Sequence, residues 1–362
     1  MRFTLLLLVF CCLGTLPLAA QKSFHVYAPS RASSELLVVE AKAEAGSLQL
    51  RLAQRKQLGF KLRTIASHPK KPLLYVGSGS GEDGQFDGAT IELSDDGGIK
   101  AVHATTLPGS YSYMSLDRTN RYLFGASYRS GQVDVMVLDD KGIIDKRVAG
   151  MDEGRKNAHA VLVSPDNRFV YIPYVKDTNA LFQYRFDADT GALTPLEPKD
   201  AGPPEGTGPR HIAYHPKLPM VYFSNEQGIG LSVYKKNPDG TLTIREVSPA
   251  IPADRDKDGI SNSDLAITPD GKFIFLGIRG HRQDFDRIAR YAVKEDGTVK
   301  LLGLTPADAI PWGFALSPNG DYLLVSAFKG ETLKAYKIEK NGGLTLAASL
   351  DWDPQISDLV TR

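Results

Sequence analysis

The chain has 362 residues, with 43 basic against 42 acidic side chains and a formal net charge of +1. So even a balance excludes the basic stripe that a nucleic-acid binder carries. An apolar content of 42% is enough for a large core, and 34 glycines with 22 prolines suit a chain that turns often.

Residues 1–20 read as a secretory signal peptide. Arg2 is the positive end, Leu5 to Leu13 form a short apolar run, and Leu18-Ala19-Ala20 is a small-residue cleavage site before Gln21. The run is too short to span a bilayer comfortably. The protein is therefore expected to be exported to the periplasm or beyond, with no membrane attachment after cleavage. Both cysteines, Cys11 and Cys12, lie inside this leader. The mature chain then has no disulfide, no thiol nucleophile and no thiolate metal site.

From Gln21 onward two signals alternate. The first is a turn followed by a β-rich run. The turns are His68-Pro69, Ser164-Pro165, His215-Pro216, Thr268-Pro269 and Ser317-Pro318, with Asp117-Arg118 as a degenerate copy. The runs after them include Leu73–Val76, Tyr122–Phe124, Phe169–Tyr171, Met220–Phe223, Phe273–Phe275 and Tyr322–Val325. The second signal is a glycine hairpin turn: Ala45-Gly46, Gly97-Gly98, Lys141-Gly142, Thr190-Gly191, Asp239-Gly240, Asp296-Gly297 and Gly342-Gly343. Seven turns of the second kind stand against six of the first. The N-terminal unit (strands at Phe24–Tyr27, Leu36–Glu40 and Ser47–Leu52) lacks an inner strand, while the chain ends on Ile356–Thr361, which resembles Asn262–Thr268.

These observations give one all-β domain over residues 21–362. It is a seven-bladed β-propeller with four-stranded blades of roughly 50 residues. The ring is closed by a C-terminal inner strand in the N-terminal blade, which removes an exposed sheet edge.

In such a ring, residues at equal repeat phase form circles around one mouth of the channel. Six residues before each turn anchor lie Arg63, Ser112, His159, Arg210, Ser263, Trp312 and, on the closing strand, Ser357. Ten residues after it lie Gly79, Tyr128, Val175, Glu226, Arg279 and Phe328, with Arg31 aligned in the first blade. Four arginines against one glutamate point to an anionic ligand, because guanidinium matches carboxylate or phosphate. Asp264 and Asp358 share a neighbouring phase and read as structural ties.

The segments Asn157-Ala158-His159-Ala160, Gly208-Pro209-Arg210-His211 and Ser224-Asn225-Glu226, with Ile278-Arg279-Gly280, resemble the lactonase seven-bladed propeller family. That family includes bacterial 6-phosphogluconolactonases of the propeller type and fungal carboxy-muconate cyclases. The resemblance covers nearly the whole mature chain. It implies a carboxylic ester hydrolase acting on a small anionic or sugar lactone, with His159, Arg210, Glu226 and Arg279 as catalytic residues and no cofactor or metal. Arg31, Arg63, Asn225 and Trp312 are the expected substrate-binding residues. Trp312 stands where family members often carry arginine, which replaces an anion contact by a flat apolar surface. A binding propeller without chemistry and a muconate-type cycloisomerase are the alternatives.

Asp254-Arg255-Asp256-Lys257-Asp258-Gly259 matches the front half of a calcium loop, but Leu265 takes the place of the closing glutamate, so a charged surface insertion is expected there. Gly77-Ser78-Gly79-Ser80-Gly81 lacks the following helix of a phosphate-binding loop.

If the leader is cleaved as read, mass spectrometry of the exported protein gives Gln21 as the first residue. The denatured mature chain then titrates no thiol. A product that retains Cys11 and Cys12 would contradict the reading.

Overall fold

A computed structural model describes residues 22–44, 47–79, 86–353 and 355–362. The signal peptide, its cysteines, Gln21, the Ala45-Gly46 turn and the Ser80-Gly81 end of the glycine-rich loop lie outside the described residues.

The described residues form seven four-stranded antiparallel sheets arranged as the blades of a propeller. Blade one takes its inner strand, Val360–Thr361, from the C-terminus and continues with Lys22–Pro29, Glu35–Glu44 and Ser47–Gln57. The inner strands of blades two to seven are Leu62–Ser67, Tyr113–Leu116, Leu162–Val163, Pro209–Tyr214, Ile260–Ile267 and Pro311–Leu316. Their second strands are Leu73–Ser78, Tyr122–Ala126, Phe169–Tyr174, Met220–Asn225, Phe273–Gly280 and Tyr322–Ala327.

The second strands explain why the sequence folds this way. Leu73–Ser78, Phe169–Tyr174 and Tyr322–Ala327 are buried at every position, because a blade is covered by neighbours on both faces. Such strands read as continuous apolar runs rather than alternating ones. The outermost strands instead face solvent over much of their length, with clear alternation in Ile99–Leu107, and carry charges that discourage edge pairing. Each outermost pair contains a register shift, for instance at Val38/Val39 and at Glu92/Leu93. A bulge there strengthens the twist of the blade rim.

The glycine turns have a second use. Tyrosines of the second strands donate to the hairpin turn of the next blade: Tyr75 to Gly142 O at 2.8 Å, Tyr171 to Gly240 O at 2.6 Å and Tyr222 to Gly297 O at 2.9 Å. Gly240 has φ of +92°, and a Cβ on it would lie 2.1 Å from the Phe169 ring. Glycine is thus required both for the turn and for the contact between blades.

The closing strand is pinned from both sides. His25 and Arg362 exchange backbone hydrogen bonds of 2.7 and 2.9 Å. The Thr361 hydroxyl donates to Leu316 O in blade seven, and the Arg362 guanidinium donates to Ser67 Oγ in blade two. Deep in the channel, Asp358 accepts from Thr64 Oγ1 at 2.9 Å and from the Ile65 amide at 3.0 Å. Asp264 is likewise a tie between blades, accepting the Phe314 amide at 3.1 Å. In the Asp254–Gly259 segment, the Asp258 carboxylate pairs with Arg282 at the surface.

Burial, with the nearby Asp264 charge adding to it, pushes the Asp358 carboxyl up to about 7. The folded chain therefore holds this proton more tightly than the unfolded chain. The contribution is fully present below the ordinary carboxylate range and is lost as pH rises toward 7, with a slope of at most about 1.4 kcal/mol per pH unit. Asp358→Asn keeps an acceptor for Thr64 and Ile65 without the charge. Chemical denaturation between pH 4 and 8 is expected to show the decline in the wild type and a flatter profile in the variant. Parallel profiles would remove Asp358 from the account.

Candidate active site

The site lies where inner strands begin and second strands end. At these points the inner strands are irregular: the pairing shifts register between Leu62 and Thr64, between Pro209 and Ile212, between Asn262 and Leu265, and between Pro311 and Gly313. Those shifts fall on Arg63, Arg210, Ser263 and Trp312, the circle read from repeat phase. A bulge redirects side chains, and bulges are frequent beside active sites. Here one lets consecutive residues, Arg210 and His211, both serve the channel.

Glu226 is the centre. Its amide donates to Gly208 O at 2.7 Å, which holds the end of the second strand against the start of the inner strand of blade five. Arg210 Nε donates to Glu226 Oε2 at 3.0 Å. Arg279 Nη2 lies 3.6 Å and His159 Nε2 3.7 Å from the same oxygen. Blades four, five and six thus place one histidine and two arginines on a single carboxylate oxygen. Arg210 is 1% exposed, Arg279 3%, His159 7% and Glu226 8%. Arg279 is further fixed by donation to Asn262 O.

Positive charge dominates the mouth. Burial, reinforced by Arg210, lowers the Arg279 guanidinium to about 9. Burial also lowers Arg63 to about 10, with Arg31, Arg129 and Arg210 adding repulsion. His159 is driven well below the usual histidine range by burial first, then by Arg210, His211, Arg63 and Arg279. It is therefore a neutral imidazole near pH 7, with a lone pair available for a proton. Arg210 Nη1 and Arg279 Nε are buried donors with no protein partner. Fixed, unused donors are the groups that stabilise a developing oxyanion.

The wall beside Arg279 is aromatic. Its guanidinium carbon stands 4.5 Å from the Trp312 ring centroid, and Trp312 packs on Phe328 at 4.7 Å. On the other side Tyr128 meets His159 edge-on at 5.6 Å, and the Lys176 ammonium lies 5.6 Å from the Tyr128 ring.

The structure therefore brings His159, Arg210, Glu226 and Arg279 together and sets Trp312 against them. Arg63 reaches the group through charge, acting on His159 and Arg210, and Arg31 acts in turn on Arg63. Asn225 is not part of it. Its carboxamide is fully buried inside the blade, where Oδ1 accepts from Ser232 Oγ at 3.0 Å. Neighbouring strand residues point to opposite faces, so a Glu226 turned to the channel turns Asn225 away.

Tyr128, Lys176, Phe328 and His211 also shape the site without an assigned role in the sequence reading, and Asp264, read there as a structural tie, lies 2.6 Å from His211 Nδ1. Tyr128 and Phe328 could be found by phase. His211 could not, because a regular strand would send it opposite Arg210. At the other end of the channel a cavity of about 520 Å³ is lined by Tyr113, Asp264, Phe314 and Asp358.

Comparison with known proteins bears on the family and the fold. The family model described as "Lactonase, 7-bladed beta-propeller" matches residues 22–351. A 6-phosphogluconolactonase of Enterobacter sp. (strain 638) is 31% identical over 323 residues, covering 88% of this chain and 92% of the relative. The periplasmic gluconolactonase of Pseudomonas aeruginosa superposes with a TM-score of 0.81 at 20% identity, covering 94% of this chain and 99% of that one. A protein from Lactobacillus plantarum gives a TM-score of 0.80 at 18% identity, covering 94% and 99%. The chain belongs to the lactonase seven-bladed β-propeller family.

Proposed function

We propose that this protein is an exported lactonase that opens a sugar or acidic lactone at the channel mouth. The observation that carries the proposal is the convergence of His159, Arg210 and Arg279 on Glu226, with the histidine held neutral. The relatives named as 6-phosphogluconolactonase and periplasmic gluconolactonase support an aldonic lactone as substrate, and the second of them supports a periplasmic site of action.

In this reading His159 Nε2 takes a proton from water while the water oxygen attacks the lactone carbonyl. The free donors of Arg210 and Arg279 receive the oxyanion. As the tetrahedral intermediate collapses, the ring C–O bond breaks and the leaving alkoxide takes the proton from His159. Glu226 orients both arginines and balances the imidazolium while it exists. Arg31 and Arg63 draw an anionic substituent to the mouth. Trp312 and Phe328 offer a flat face for the sugar ring, which suits a lactone without a phosphate better than one with it.

Acid release from a panel of aldonic, phosphorylated and uronic lactones tests the proposal. His159→Ala is expected to lower kcat about 10²–10⁴-fold, as loss of a general base does, and Glu226→Gln about 10²-fold. Because His159 is held below its ordinary range, the wild-type rate should stay level as pH falls through 6.5. Unchanged activity in both variants would refute the assignment, and a panel with no hydrolysed member would favour a binding propeller.

The aromatic wall has its own signature. Trp312→Ala should raise KM about 10-fold for a neutral sugar lactone with little change in kcat, the mark of lost uniform binding. Trp312→Arg should shift preference toward a phosphorylated lactone. Equal effects on both substrate classes would separate Trp312 from specificity.

A further inference from the structure

One polar pair at the mouth takes no part in the cluster around Glu226. His281 Nε2 is 2.8 Å from Ser261 Oγ. Ser261 lies on the inner strand of blade six, and His281 follows the end of the second strand of the same blade. Ser261 and Arg279 are directly paired across these strands, and residues so paired present their side chains to one face. His281 comes two residues after Arg279 and meets Ser261 on that face. Asn262 turns the other way and donates to Gly230 O at 2.9 Å. The pair therefore stands on the solvent side of Arg279, whose guanidinium carbon is 4.5 Å from the Trp312 ring centroid. The charges of Arg279, Glu226 and, from blade seven, Lys329 all act on the His281 ring, which agrees with this placement.

The loop that carries His281 is fastened at several points. The Gly280 amide donates to Asp286 Oδ1 at 2.9 Å, and a Cβ on Gly280 would lie 2.2 Å from Gln283 O, so the backbone can fold back this closely only at glycine. The Arg282 guanidinium pairs with Asp258, and Gln283 Nε2 donates to Asp258 O at 2.6 Å. The charged insertion Asp254–Gly259 thus buttresses the His281 loop. Burial, reinforced by Arg279 and opposed by Glu226, holds His281 below the usual histidine range, so the ring is neutral near pH 7. A neutral imidazole and a hydroxyl that share one hydrogen bond still offer one donor and one acceptor, whichever nitrogen holds the proton. Among the described residues no carboxylate hydrogen-bonds His281. The pair thus lacks the third group that orients the base of a serine nucleophile, and binding is the role it fits.

A sugar ring stacked on a flat aromatic face turns its hydroxyls to the rim of that face, where they need polar partners. We infer that Ser261 and His281 form a hydroxyl-recognising subsite: they hold a hydroxyl at the outer edge of a lactone ring stacked on Trp312, and so select a polyhydroxylated lactone over one without hydroxyls. The inference rests on the lactonase reading for the identity of the ring. It also gives a use to the charged insertion, which the cluster around Glu226 does not need.

The test compares gluconolactone with δ-valerolactone, the same ring without hydroxyls, in the wild type, Ser261→Ala and His281→Phe. The preference for gluconolactone, as a ratio of kcat/KM values, is expected to fall about 3–10-fold in each variant, the worth of one hydrogen bond. The fall should lie in KM rather than kcat, as for lost uniform binding. An unchanged ratio in either variant overturns the inference. Calorimetric titration with gluconolactam, whose ring amide resists hydrolysis, reads the same contacts without turnover. Its affinity should weaken about 3–10-fold in each variant, and a wild type that does not bind it overturns the inference. If neither lactone is hydrolysed while the lactam shows the expected losses, the lactonase reading fails and the hydroxyl subsite stands.

Discussion

Everything in this molecule depends on closing the ring. A blade whose second strand is apolar on both faces can be buried only if it has a neighbour on each side. An open row of seven such sheets would leave two large apolar faces in water. The chain solves this by giving blade one an inner strand from the far end of the sequence, fastened by His25 to Arg362, by Thr361 to Leu316 and by Asp358 to Thr64 and Ile65. The tyrosine-to-glycine bonds between successive blades then act within a closed circle, where no joint can open without straining the others.

Closure also explains how a site can be assembled from residues far apart in sequence. His159, Arg210, Glu226 and Arg279 come from three blades, each held by backbone that is paired within its own sheet and packed against the next. Strand pairing fixes the direction of each side chain, and local bulges adjust it. The result is a rigid cluster of charges whose mutual repulsion and burial cost are borne by the fold. Such preorganisation matters more to a developing oxyanion than the number of charges, because the donors need not reorient as the charge appears.

The axis of the propeller is unusually rich in titratable groups. From the mouth inward stand Glu226, His159, His211 and Asp264, with Asp358 charge-coupled to Asp264 where the channel opens into the second cavity. Burial, reinforced by the arginines nearest the mouth, holds His159 neutral, and Asp264 remains an anion farther in. A single column of polar groups, graded from cationic at the mouth to anionic within, thus shares the space enclosed by the inner strands.

Much of this was legible in the sequence. The number of blades followed from glycine turns and Pro-anchored strands, because both are local requirements of the backbone that recur with the repeat. The closing strand followed from a mismatch between the two signals. Repeat phase placed the four central residues on two circles, because a propeller converts equal phase into equal height on the axis, and the family resemblance singled them out from those circles. The tertiary structure alone decided the rest. Asn225 sits beside Glu226 in sequence yet is turned into the blade, and His211 sits beside Arg210 yet is turned into the channel. Strand parity and its local breakage by a bulge set those directions, and a bulge is a property of the pairing between strands rather than of either strand's residues. The shared oxygen of Glu226, the neutrality of His159 and the spacing of the two histidines depend in the same way on distances between blades, which no single segment encodes.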